Sequence, residues 1–135
     1  MRSLGLESSV SFLGSRSDAP NVLAACDLGI LGSSSEGLPL SLLEYAAAGL
    51  PAVATDVGEC GHVLAEGAGL LVPPRDPEAL ARAVVGLLQS PDERARIGRA
   101  FHERFRRHFG PEAGIARIVE VYERVLGAAD RPVAA

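Results

Sequence analysis

Two carboxylates, Glu36 and Glu44, stand eight positions apart in Glu36-Gly-Leu-Pro-Leu-Ser-Leu-Leu-Glu44-Tyr-Ala-Ala-Ala-Gly49-Leu-Pro51. Glu44 falls within a run that is otherwise almost wholly apolar, and an unpaired ionised carboxylate is costly to bury. It therefore needs a partner, either a protein group or a ligand. A carboxylate presents two acceptor oxygens, which matches a pair of adjacent hydroxyls on a ribose or a hexose. The spacing is a little over two helical turns, so Glu36, nearer the mouth, could line the same crevice and face a reacting group. The alternative is that an arginine or a backbone amide satisfies Glu44 and that Glu36 is an exposed loop acid.

The residues before the second glutamate favour an anion. Ser33 to Pro39 reads as a turn from a strand into a helix, and it holds Ser33, Ser34, Ser35 and Gly37. Backbone N–H groups at a helix start, beside a glycine that permits close approach, suit a group such as a diphosphate. In open α/β sheets ligands bind at this kind of turn, beyond the carboxyl ends of the strands.

The elements that would position the turn are legible as an alternation. Short apolar runs at Val10 to Leu13, Leu28 to Leu31, Ala52 to Ala54 and Leu70 to Val72 read as strands, with helical patterns between them. Strands apolar throughout point to a parallel sheet with helices on both faces, a Rossmann-like α/β fold. Asp18 is placed to cap a helix over Ala19 to Ala25, and Pro39 to open one that Gly49 closes. Asp76 and Pro77 start a helix with Leu80, Val84, Leu87 and Leu88 on one face. Ser90-Pro91-Asp92-Glu93 reads as a capping box for a polar helix to about His108. Gly110-Pro111 then breaks the chain before a last amphipathic helix carrying Ile115, Ile118, Val119, Tyr122 and Val125. We expect one unit over residues 1–127 and a flexible tail over 128–135.

Bulk properties exclude several functions. The chain has 135 residues, 47% hydrophobic and 22% charged, with a net charge of −4, so neither disorder nor nucleic-acid binding is favoured. All 13 basic residues are arginine, which rules out Schiff-base lysine chemistry within the chain. Cys26 and Cys60 form no disulfide framework and have no metal-ligand spacing, so a reduced, cytoplasmic setting is expected. Peripheral contact at the inner membrane face stays open. The three histidines suggest no metal site, and no Gly-x-Gly-x-x-Gly follows a strand, so neither a metal nor a nicotinamide cofactor is indicated. Arg94, Arg96, Arg99, Arg104, Arg106 and Arg107 form the one basic stretch, read as a solvated helix face because Glu93 and Glu103 interrupt it. Phe101, Phe105 and Phe109 on the same helix read as anchors for a further surface. His62 is weighed as a base toward an acceptor hydroxyl.

Motifs in fixed order carry a resemblance. They are Val10-Ser-Phe-Leu-Gly14, Ala25-Cys-Asp27-Leu-Gly-Ile-Leu, Ser35-Glu36-Gly37-Leu38-Pro39-Leu40, Glu44-Tyr-Ala-Ala-Ala-Gly49-Leu-Pro51-Ala-Val-Ala-Thr55, Val57-Gly58 and Gly69-Leu-Leu-Val-Pro-Pro74. From Val10 to Leu88 the chain resembles the C-terminal nucleotide-sugar-binding domain of retaining glycosyltransferases of the GT-B fold. The resemblance implies metal-independent transfer of a sugar from a nucleoside diphosphate donor to a carbohydrate or lipid acceptor, with retention of configuration. It implies that Glu44 binds the ribose hydroxyls and that Glu36 lies at the donor sugar and leaving phosphate. Gly37 and Leu38 then offer backbone N–H groups, with Ser35 and Pro39 completing the donor turn.

The same resemblance implies what should lie elsewhere. The family's acceptor domain, two strands of the donor domain and the arginine and lysine that clamp the diphosphate have no counterpart in this sequence. We therefore expect a truncated piece, inactive by itself. Its sheet should either move the Val10 strand beside Leu28 to Leu31 or leave an edge open to self-association. An inactive nucleotide-binding or self-associating module is the alternative to an enzyme part.

Overall fold

Local chemistry sets the element boundaries. Pro39 stands at the N-cap of a helix over Leu40–Ala47, and Gly49, at φ 69°, ends it in the left-handed region that glycine tolerates. Asp76 caps the helix Pro77–Leu88 by accepting the Ala79 N–H at 2.8 Å, with Pro77 in the first turn.

The computed structural model describes residues 4–129. Its elements are α1 (Ala19–Ala24), β1 (Gly29–Leu31), α2 (Leu40–Ala47), β2 (Ala52–Thr55), α3 (Cys60–Val63), β3 (Leu70–Val72), α4 (Pro77–Leu88), α5 (Pro91–His108) and α6 (Pro111–Ala129). The chain adopts the expected α/β class. Its strands are parallel in the order β1-β2-β3, with Ile30 opposite Val53 and Ala54 opposite Leu71.

The middle strand organises two cores. Ala52, Val53, Ala54 and Thr55 are all buried, and strand alternation sends Ala52 and Ala54 to one face and Val53 to the other. The first face meets Leu42 and Ala46 of α2, Cys60 and Val63 of α3, and Phe101 of α5. On the second face Val53 and Val72 meet Leu87 of α4 and Ile97 of α5, with Leu80 and Val84 packed alongside. Burying each large apolar side chain contributes about 1.5–3 kcal/mol before entropy is charged against it. Helix α5 serves both cores, which ties the two faces of the sheet together.

Several expectations need correction. Val10 to Leu13 is irregular chain outside the sheet, with Val10, Phe12 and Leu13 exposed. An apolar run gains strand conformation by pairing, and among the described residues β1 has no neighbour on its outer side. Cover is also uneven, because Ile30 on β1 is 46% exposed. Asp18 does not cap α1; it gives its carboxylate to Arg16 instead. Ser90 makes no side-chain cap bond either, and Glu93, the other half of the expected box, is held by Arg96 at 2.6 and 2.7 Å. Leu88 is half exposed rather than part of the α4 core face. Phe101 lies inside the first core with Phe105 and Phe109 packed against it, so these rings anchor α5 to its own domain. Helix α6 instead carries the uncovered apolar stripe, with Ile115, Ile118, Val119, Tyr122 and Val125 all exposed. Residues 130–135, most of the expected tail, lie outside the described residues.

Candidate functional site

Parallel strands deliver their following loops to one end of the sheet. Two such loops meet here. The first runs from β1 to α2 through Ser33, Ser34, Ser35, Glu36, Gly37, Leu38 and Pro39. The second leads from β2 to α3 through Asp56, Val57, Gly58 and Glu59. Thr55, buried at the end of β2, donates its hydroxyl to the Ser33 carbonyl at 2.6 Å. The Glu59 N–H donates to the Gly37 carbonyl at 3.2 Å. Gly58, at φ 52°, lies so close to the Glu36 carbonyl oxygen that a Cβ would overlap it.

Inside this clasp Ser33 Oγ donates to Glu36 Oε1 at 2.6 Å, and Glu36 is half-buried. Ser35, Gly37 and Leu38 are exposed at the crest, while Pro39 is buried at the foot. Just beyond stands the N-terminus of α2, where the Leu42 N–H already donates to the Pro39 carbonyl at 3.0 Å and the N–H groups of Leu40 and Ser41, which precede it, lie at the positive end of the helix dipole. The arrangement presents fixed donors and one oriented carboxylate to solvent. Chemically, that suits binding an anion and stabilising negative charge as it forms.

Glu44 is exposed, which corrects its reading as a buried carboxylate in want of a partner. Leu42 and Ala46 face the core, and Glu44 lies two residues from each, about 200° around the helix. The apolar run around it is apolar on more than the core side. Glu44 borders an open groove of about 290 Å³ with Leu13, Gly14, Arg16, Leu23 and Tyr45. Glu36 has Ser33 and Gly58 for neighbours, and Glu44 has α1, so the two carboxylates sit in different surroundings rather than as a bonded pair. Next to Glu44, Tyr45 donates its hydroxyl to the Ile30 carbonyl at 3.4 Å; burial, then the Glu44 charge, pushes its phenol above the ordinary value. Cys60, at the start of α3, is fully buried, and that burial pushes its thiol up, with the Glu36 and Asp56 charges adding to the effect.

Part of the basic stretch has structural roles, while Arg99 and Arg106 are exposed as a solvated helix face requires. Arg94 donates to the Leu87 carbonyl at 3.0 Å and to that of Leu88, closing the end of α4. Arg96 holds Glu93, and Arg107 faces Glu66 at 3.7 Å. Arg104 is buried, donating from Nε to Val63 O at 3.1 Å, from one terminal nitrogen to His62 O at 2.7 Å and from the other to Glu66 Oε1 at 2.8 Å. Reading the stretch as charge alone misses Arg104. Its signal is its place in the stripe Ile97, Phe101, Arg104, Phe105, where helical spacing demands a core residue. His62 has an exposed ring edge-on to Phe109 at 5.6 Å between centroids.

A model of the family described as Glycosyl transferases group 1 matches residues 1–90. The chain belongs to the glycosyl transferases group 1 family. This group 1 chain is 38% identical over 103 residues to a D-inositol 3-phosphate glycosyltransferase of Catenulispora acidiphila, a match covering 76% of the chain and 24% of that relative. It is 35% identical over 135 residues to an exopolysaccharide phosphotransferase of Streptomyces coelicolor, covering 98% of the chain and 14% of that relative. The group 1 chain thus spans a quarter or less of the length of these two proteins. Among solved structures, Anabaena HepE in complex with UDP matches with a TM-score of 0.86 at 28% identity, over 91% of this chain and 34% of HepE. HepE is also solved in complex with UDP-glucose. The fold is that found in GT-B glycosyltransferases, as the sequence motifs imply. Among the described residues no helix of this group 1 chain is long and apolar enough to cross a membrane.

Proposed function

We propose that the chain is the donor-binding part of a glycosyltransferase that moves a sugar from a nucleoside diphosphate sugar to an acceptor. The transfer retains configuration and uses no resident metal or cofactor. The observation that carries this reading is the clasped loop, with its carboxylate fixed by Ser33 and its crest open to solvent. Glu36 lies beside the donor sugar and the leaving phosphate. Gly37 and Leu38 offer backbone N–H groups, Ser35 adds a hydroxyl, and Pro39 sets where the helix begins. Breaking the glycosidic bond leaves a diphosphate anion, and donors aligned beforehand at a helix start lower that barrier. Glu44 takes the two ribose hydroxyls, a role its exposure suits because its oxygens stay available until ligand arrives. The UDP and UDP-glucose complexes of HepE support a nucleotide-sugar donor. The acceptor, a carbohydrate or lipid, meets the site from residues of a longer protein. A cytoplasmic site, working at the inner membrane face for a lipid acceptor, follows from that reading.

Calorimetric titration of uridine, guanosine and adenosine diphosphates into the chain and its Glu44→Gln variant tests the assignment. One nucleotide should bind, about tenfold more weakly to the variant. Equal affinity in both proteins would remove Glu44 from the ribose.

A second reading has its own observation: β1 carries an unpaired outer edge among the described residues, and the chain has no lysine for a diphosphate clamp. In that reading the chain is a non-catalytic, self-associating module. Sugar transfer by the isolated 135 residues would refute it, whereas inactivity with concentration-dependent sedimentation would support it.

A further inference from the structure

Helix α3 is too short to hold itself in place. It has four residues and no side-chain N-cap, and an isolated helix of that length is unstable in water. Its N-terminal end is nevertheless half of the clasp, because Gly58 and Glu59 just before it close on Glu36 and Gly37. Cys60 and Val63 seat one face of α3 in the first core, and its C-terminal end is held by a second, polar attachment. The carbonyls of His62 and Val63 at that end both accept from the guanidinium of Arg104, whose side chain is 5% exposed. The third arm of the fork reaches Glu66, a non-glycine residue at φ 60°, and so also holds the strained turn that follows.

We infer that Arg104 is a positioning residue for the loop that carries Glu36, acting through α3. A planar fork with several donors in fixed directions is needed to serve three acceptors at once. Lysine, a single ammonium on a flexible stem, cannot reproduce it. Phe101 and Phe105 set α5 in the core, so Arg104 approaches α3 from a rigid support. Its effect on nucleotide binding rests on the donor-site reading, whereas its effect on the loop does not.

Amide hydrogen exchange on the whole chain tests the inference. In Arg104→Lys the Glu59 amide, which bonds to Gly37, should exchange about tenfold faster while the amides of β2 keep their wild-type rates. An unchanged Glu59 rate, or one that rises only in step with β2, would overturn the inference, because a merely structural arginine loosens the whole domain. Should Arg104→Lys not fold, Glu66→Gly leaves Arg104 with its two carbonyls and should accelerate Glu59 by a smaller factor; no acceleration overturns the inference. A UDP titration separates the two levels. Wild-type binding that weakens in Arg104→Lys supports the inference, and equal binding by both proteins overturns it. Failure of the wild type to bind UDP, with Glu59 still accelerated in the variant, sinks the donor reading and leaves the positioning role standing.

Discussion

Gly58 and Glu36 touch backbone to backbone, with no room for a methyl group between the Gly58 Cα and the Glu36 carbonyl oxygen. The lack of space demands glycine at this point, and the left-handed φ of 52° favours it. The contact joins the loop after β1 to the turn after β2, and so sets where the Glu36 carboxylate stands.

Gly58→Ala should therefore push the two loops apart. The expected loss is about 1–3 kcal/mol, from steric overlap and from an alanine forced into the left-handed region. Urea unfolding of the two proteins measures it, and an unchanged midpoint would mean that the loops are not in contact.

Thr55→Val keeps the shape of the buried side chain and removes only its hydroxyl. The Ser33 carbonyl then loses its 2.6 Å donor, which should cost about 1–3 kcal/mol. Ser33→Ala should cost under about 1 kcal/mol, because the half-buried Glu36 carboxylate can turn to water. Comparing the two midpoints checks the order; the reverse ranking would contradict the assigned bonds.

Arg75 and Glu66 are the non-glycine residues at positive φ, 61° and 60°, among those described. Arg75 is exposed, and relief of its backbone strain in Arg75→Gly should stabilise the chain by about 0.5 kcal/mol, the difference between strain removed and unfolded-state freedom gained. Glu66→Gly gains the same relief but loses the ion pair with Arg104, so its melting temperature should fall. A parallel rise in both variants would show that the Glu66 pair contributes nothing.

Stability should decline at alkaline pH. The Cys60 thiol and the Tyr45 phenol are pushed above their ordinary values of 9.0 and 10.0, in each case first by burial. A group whose pKa is raised by folding stabilises fully below its unfolded pKa and loses that contribution as pH rises through the folded one. These two groups should leave urea midpoints level below about pH 8.5 and lower them progressively as the pH rises beyond the ordinary thiol and phenol values of 9.0 and 10.0. Tyr45→Phe and Cys60→Ala should each flatten the fall. An equally steep fall in Tyr45→Phe would clear the phenol.

The sequence announces what depends on neighbours along the chain and hides what depends on neighbours across it. Pro39, Gly49, Asp76 and Pro77 mark helix ends through their own backbone preferences, and α2 and α4 begin and end as those residues require. The apolar run at Val10 carries the same pattern as Ala52 to Ala54, yet only the second becomes a strand, because pairing partners are absent from the first. The site divides in the same way. Ser33 to Pro39 is visible as a strand-to-helix turn, but its tie to Gly58 and Thr55 is made between residues about 20 apart. The composition around Glu44 suggests burial because alanines count as apolar, although Ala47 and Ala48 are exposed. Arg104 escapes notice for the opposite reason, since a charge among charges looks solvated until its place in the helical stripe is counted.

The order β1-β2-β3 means that each strand pairs with one already synthesised, and none has to wait for a later strand. As the chain leaves the ribosome, the sheet and the loop bearing Glu36 have their parts in hand by the end of β3. The latch comes later, because Arg104 lies 42 residues beyond the His62 carbonyl it grips. A nascent chain paused within α4 would thus carry every residue of the anion-facing loop while lacking its support. If Arg104 positions the loop as inferred, that support becomes available only once α5 has been made.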